Sequence, residues 1–177
     1  AELITESIHY SSGATDMRGY LAYNGAIQGR RPGVLVVHEW WGHNAYARQR
    51  ADQLAQLGYT ALAVDMYGDG KTAHHPKEAG QFAQAVGQNL PLMKARFLAA
   101  LEQLQQHPTV KADDIAAIGY CFGGGVVLAM AREGVALDGV ASFHGSLGAI
   151  DEPAQPGRVK TAIMIANGGA DPMTTPQ

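Results

Sequence analysis

Cysteine is all but missing from this 177-residue chain: the one example is Cys121. A lone cysteine excludes an intramolecular disulfide, so its thiol either packs inertly or does chemistry. Long apolar runs are missing as well. None reaches the roughly 20 residues that a membrane-spanning helix needs, and the opening Ala1-Glu2-Leu3-Ile4-Thr5-Glu6 lacks the basic and apolar regions of a signal peptide. The expectation is a soluble protein, cytoplasmic, or periplasmic if a signal peptide was removed before Ala1. Excess charge of one sign is also absent, with 13 Lys+Arg against 16 Asp+Glu and a formal net charge of -3. That balance, without a run of either sign, argues against nucleic acid and anionic membrane as partners. No internal repeat or low-complexity stretch interrupts the chain. What is plentiful is apolar side chain, 46% of residues, enough to build one core in a single domain over residues 1–177. A monomer is the expectation.

Apolar patterning and turn residues predict alternating strands and helices. Leu3 to Tyr10 and Met17 to Tyr23 read as an antiparallel pair around the polar segment from Ser11 to Asp16. Val34-Leu35-Val36-Val37, bounded by turn signals, reads as a strand buried on both faces, delivering His38-Glu39-Trp40-Trp41-Gly42 at its end. Asn44 can cap a helix from Ala45 to Leu57 that Gly58 stops, and a strand follows from Thr60 to Asp65. Met66 to Gly80 reads as a loop entering a helix near Pro76. Leu90, Met93, Phe97, Leu101 and Leu104 recur at helical spacing up to His107-Pro108. Further strands are expected at Ile115 to Gly119, Leu137 to Phe143 and Val159 to Ala166. Strands separated by helices imply a mainly parallel α/β sheet covered on both faces, with chemistry at the strand C-termini. Glu39, Asp65, Cys121 and the segment from Asn167 to Asp171 all sit at such ends and are expected to line one crevice.

Cys121 lies in Gly119-Tyr120-Cys121-Phe122-Gly123, a G-x-C-x-G segment between an apolar strand and an apolar helix. It matches the nucleophile elbow G-x-S-x-G with sulfur in place of oxygen. Glycine at 119 and 123 lets the chain reverse tightly around a strained residue whose side chain projects outward. A helix starting just after Cys121 is expected to favour the thiolate. The bland reading is a small buried cysteine in a packing turn. A cysteine nucleophile also needs a base, an orienting carboxylate and two N–H donors for the oxyanion. Asp171, on a glycine-rich turn just past a strand, stands where the α/β-hydrolase chain order puts the acid, although Asp-Pro turns are also common at surfaces. A carboxylate such as Glu39 at the end of an apolar strand is costly to bury unless something pairs with it.

Val37-His38-Glu39-Trp40-Trp41-Gly42, the elbow Gly119-Tyr120-Cys121-Phe122-Gly123-Gly124 and the Asp171 turn together resemble, over most of the chain, the dienelactone hydrolase family of α/β-hydrolases. The resemblance implies a hydrolase cleaving a small ester or lactone through a cysteine nucleophile and a thioester acyl-enzyme. It implies Cys121 as nucleophile, Asp171 as triad acid and Glu39 as the glutamate that contacts the resting thiol. The N–H groups of Trp40 and Phe122 would form the oxyanion hole. Trp41, His38, Tyr120 and His144 are expected around the pocket, His38 alternatively facing the core beside the oxyanion loop, and the tryptophan pair alternatively packing the core. Neither a metal nor an organic cofactor is implied. The family's histidine lies well downstream of the acid, followed by a final helix. Here six residues follow Asp171 and none is histidine. The expectation is therefore a C-terminally incomplete domain without the family's last strand and helix. Without a base, a thiol of pKa about 8.5 is only a few per cent ionised at neutral pH.

Other readings compete. A binding protein that keeps the pocket without turnover, or a truncated inactive fragment, is the alternative to an enzyme, and a redox-sensing thiol is a third reading. Zinc is disfavoured at His38-Glu39-Trp40-Trp41-Gly42-His43 because the position four after His38 is glycine. A nucleotide loop at Gly70-Lys71-Thr72 lacks its upstream glycine. The Met66 to Gly80 loop holds no arginine to grip a substrate carboxylate, so dienelactone itself is not the expected substrate.

Overall fold

A computed structural model describes residues 2–147 and 152–174. Its first two strands, β1 (Leu3–Ser12) and β2 (Thr15–Asn24), are longer than the apolar pattern suggests. The polar residues continue the ladder, Ser11 pairing with Asp16 and Ser12 with Thr15, around a turn in which Gly13 has φ 58. On a sheet edge polar side chains reach water while their backbone groups stay bonded, so hydropathy marks only the buried part of such a hairpin.

Next comes β3 (Arg31–Val37), buried almost throughout. It begins before the apolar run because Arg31 is buried and its guanidinium donates to the carbonyls of Asn24, Ile27 and Gly29 at 2.7, 2.8 and 3.1 Å. Helix α1 (Ala45–Gln56) starts where expected, Asn44 Oδ1 accepting the Ala47 N–H at 3.3 Å. Strand β4 (Thr60–Ala63) follows, then α2 (Pro76–Gly87), with proline in its first turn, and α3 (Leu90–Gln106). Strand β5 (Val110–Tyr120) leads into α4 (Phe122–Arg132). The last two strands, β6 (Gly139–Phe143) and β7 (Ala162–Ala166), are shorter than expected because their pairing begins only at Gly139 and Ala162.

Among the described residues these strands make one seven-stranded sheet in the order β1-β2-β4-β3-β5-β6-β7. The hairpin joins β4 antiparallel, and all pairs from β4 to β7 are parallel. Alternate residues of β3 face opposite sides. Leu35 and Val37 enter a core with Phe97, Leu101 and Leu104 of α3 and Val126, Val127 and Met130 of α4. Val36 faces the other way, where α1 lays Ala47, Ala51 and Ala55 against Ala22, Ala61 and Ala63. Helices thus cover both faces, as alternating strands and helices imply. Among the described residues the β7 edge is bare: all five of its residues are exposed.

Candidate active site

The parallel strands β3 and β5 run side by side, Val37 opposite Gly119, so the His38 loop and the Cys121 turn leave the sheet together. At that turn Cys121 adopts φ 56 and ψ -115, a left-handed backbone that a non-glycine residue holds only under constraint. Two glycines supply the constraint. A Cβ at Gly119 would collide with the backbone of Gly123, and one at Gly123 would collide with the carbonyls of Val37 and His38. The first turn of α4 therefore sits directly against the end of β3. The Cys121 N–H is tied to Phe143 O of β6 at 2.8 Å.

The Phe122 N–H favours ionisation of the Cys121 thiol, and the charges of Glu39 and Asp171 oppose it. Burial pushes the Cys121 thiol up, and those two negative charges push it further, against the opposing pull of the Phe122 N–H. The pull toward thiolate expected at the helix start is present in the Phe122 N–H, but desolvation and two carboxylates outweigh it.

The loop after β3 is held from several sides. Glu39 O accepts from His38 Nδ1 at 2.7 Å and from the Gly42 N–H at 3.1 Å. Tyr67 donates its hydroxyl to Trp40 O at 2.8 Å, and the Ala73 N–H donates to Trp41 O at 2.9 Å. Among the described residues no protein acceptor takes the Trp40 N–H. Trp40 and Trp41 are half-buried and meet edge to face at 5.3 Å.

Asp171 combines two roles. Its Oδ1 accepts the Met173 N–H at 2.9 Å, the local turn that Asp-Pro favours, while its charge reaches the sulfur. Asp65, by contrast, does not border the crevice. It is fully buried and accepts four backbone N–H groups, from Arg18 and Tyr67 at 3.1 Å each, Gly68 at 2.8 Å and Gly70 at 2.9 Å. Such a ring of donors solvates a carboxylate in place of water and ties β2 to the loop after β4.

The remaining expected pocket residues scatter. His38 is 1% exposed behind the loop, between the rings of Tyr67 at 4.8 Å and Phe122 at 5.7 Å. Tyr120 faces α1, stacked on Phe143 at 5.3 Å and under the Arg50 guanidinium at 5.4 Å. His144 is exposed at the end of β6 with φ 43. Tyr67 was not singled out by the sequence. The signal was there, an aromatic residue two positions after the strand-end Asp65, but its use depends on a tertiary contact.

A cavity of about 440 Å³ opens beside Phe122, lined by Gln88, Leu90, Met93, Val126, Ala129 and Ser146 among others. Arg96 does not serve it as a free cation, since its Nη1 donates to the Met66 and Tyr67 carbonyls at 2.9 and 3.0 Å. Among the described residues no three His, Cys, Asp or Glu side chains cluster as a metal site, and no helix is long and apolar enough to cross a membrane.

This sheet order, with a strained residue between glycines at the end of β5, is that of an α/β-hydrolase. The chain superposes with a TM-score of 0.91 on a solved structure described as m3DLH, at 35% identity, covering 98% of this chain and 72% of that one. It superposes with a TM-score of 0.92 on a dienelactone hydrolase-like promiscuous phosphotriesterase from metagenomic libraries, at 34% identity and the same 98% and 72% coverage. The family model for the Dienelactone hydrolase family matches residues 17–177, and the chain belongs to that family. Protein usf of Aquifex pyrophilus is 29% identical over 123 residues, which is 67% of this chain and 52% of that protein. A Bradyrhizobium sp. protein named "Probable 2-oxo-3-(5-oxofuran-2-ylidene)propanoate lactonase" is 32% identical over 113 residues, 60% of this chain and 43% of that protein. The chain thus spans about half the length of these two relatives.

Proposed function

We propose that the protein to which this chain belongs is a carboxylic ester hydrolase that opens small esters or lactones through Cys121. The observation that carries the reading is the strained elbow at Cys121, whose thiol responds to the Phe122 N–H and to the charges of Glu39 and Asp171. In this mechanism Cys121 Sγ attacks the substrate carbonyl and the thiol proton passes to a base. The carbonyl oxygen becomes an oxyanion that the Trp40 and Phe122 N–H groups stabilise. Collapse expels the alcohol, which takes up a proton, and leaves a thioester; water then releases the acid. In a lactone the alcohol stays tethered to the product.

Glu39 suppresses thiol ionisation in the resting state, because a negative charge beside sulfur disfavours a second one. Asp171 orients the base. The relatives are longer than this chain, and among the described residues Ile163, Met164 and Ile165 form an exposed apolar margin of the kind folded proteins cover. The names of relatives, a lactonase and a promiscuous phosphotriesterase, point to small activated substrates. The apolar lining from Leu90, Met93, Val126 and Ala129 favours an uncharged acyl or alkoxy group over a carboxylate-bearing one.

The test is stopped-flow release of p-nitrophenol from p-nitrophenyl acetate. A burst equal to the enzyme concentration, lost in Cys121→Ala, is expected. Release that is unchanged in that variant rejects the nucleophile.

A further inference from the structure

We infer that His38 is a positioning residue for the oxyanion hole: held in one tautomer by the Met66 N–H, it grips Glu39 O and so aims and polarises the Trp40 N–H. The inference rests on the reading that Trp40 contributes to that hole. Its geometry is one of peptide planes. The Glu39 carbonyl and the Trp40 N–H belong to the same peptide unit, which is trans and nearly planar, so the two groups point in opposite directions. Whatever pins the carbonyl therefore sets the direction of the N–H. Two donors pin it, His38 Nδ1 at 2.7 Å and the Gly42 N–H at 3.1 Å.

The imidazole is itself fully determined. Met66 N donates to His38 Nε2 at 3.1 Å, so Nε2 presents a lone pair and the ring proton sits on Nδ1, where a carbonyl oxygen is ready to accept it. Burial lowers the pKa of His38 to about 4, so the ring stays neutral and keeps this donor and acceptor order. With both nitrogens bonded to backbone, His38 is not a proton acceptor for Cys121. The result is a chain of aligned dipoles: Met66 N–H to His38, His38 to the Glu39 carbonyl, and through that amide to the Trp40 N–H. Each bond in such a chain strengthens the next, by about 10–30% in condensed-phase estimates. An N–H whose carbonyl partner is already hydrogen-bonded is a stronger donor to an oxyanion.

The experiment compares two reactions of Cys121 in single turnover. Acetylation by p-nitrophenyl acetate forms the S–C bond, breaks the C–O bond to p-nitrophenolate and releases the thiol proton to solvent, passing through an oxyanion. Alkylation by iodoacetamide displaces iodide and forms no oxyanion. His38→Leu is expected to slow acetylation about 10- to 100-fold while alkylation changes by less than about twofold. His38→Asn, which keeps an N–H donor for the Glu39 carbonyl, is expected to recover part of the acetylation rate. His38→Met, closer in volume, is read by the same two rates if the leucine variant does not fold. Equal slowing of both reactions, or acetylation at the wild-type rate in the apolar variant, overturns the inference while leaving Cys121 as nucleophile. A wild-type chain that is alkylated but never acetylated removes the hole and the nucleophile together.

Discussion

Tyr67 Oη donates to Trp40 O at 2.8 Å, so the loop after β4 holds the loop after β3 across the mouth of the site. The tyrosine ring also touches Phe122 at 5.4 Å, and burial pushes its hydroxyl pKa well above the ordinary tyrosine range, so it stays a donor. Tyr67→Phe removes one hydrogen bond and little volume. It should cost about 1 kcal/mol of stability and slow Cys121 acetylation about three- to tenfold, read by chemical denaturation and stopped-flow absorbance. An unchanged acetylation rate would mean that the Trp40 loop holds its position without this bond.

Gly123 is the point where α4 meets the end of β3. A Cβ there would strike the Val37 and His38 carbonyls, and backbone on both sides leaves little room to relax. Gly123→Ala should destabilise the protein by about 2–4 kcal/mol and reduce acetylation, because pushing α4 away from β3 also separates the Phe122 and Trp40 N–H groups. Urea unfolding of the variant checks the first effect.

The thiol responds to its carboxylate neighbours. Negative charge at Glu39 and Asp171 raises the Cys121 pKa, so removing either charge lowers it. Glu39→Gln should move the pH profile of iodoacetamide alkylation to lower pH and raise the rate at neutral pH. A profile that stays in place would detach Glu39 from the sulfur.

Stability should fall in mild acid through the buried histidines. His38 titrates at about 4 when folded and near 6.5 when unfolded, so between those values the unfolded chain binds more protons and folding weakens as pH drops. The full effect is on the order of 3 kcal/mol, present above pH 6.5 and lost by pH 4. His43 is depressed in the same direction, mainly by burial, and acts with the same sign. Neighbouring charge modulates His38 in both senses, His43 lowering it and Asp65 raising it. Thermal melts from pH 7 to pH 4 should show a slope that flattens in His38→Asn.

Much of the architecture was legible in local chemistry. Asn44 announces α1 because its side chain can cap only a helix start, and Pro76 marks the first turn of α2 because a missing N–H costs nothing there. The elbow was legible because only a tight reversal calls for glycine on both sides of one reactive residue. What escaped depends on distant partners. Arg31 extends β3 because three carbonyls from the preceding turn surround its guanidinium, and Asp65 is withdrawn from the crevice by donors up to 47 residues away. The balance at Cys121 also escaped, since the helix start is visible in sequence while the depth of burial, the largest influence on the thiol, is not. His38 reads as pocket or core from its position alone, and only its two backbone partners give it a direction.

The central claim is that Cys121 is the nucleophile, and the intact mass of the protein after brief exposure to p-nitrophenyl acetate tests it most directly. The expected result is one acetyl group per chain, mapped by peptide digestion to Cys121 and absent from Cys121→Ala. No adduct, or an adduct that persists in Cys121→Ala, would contradict it.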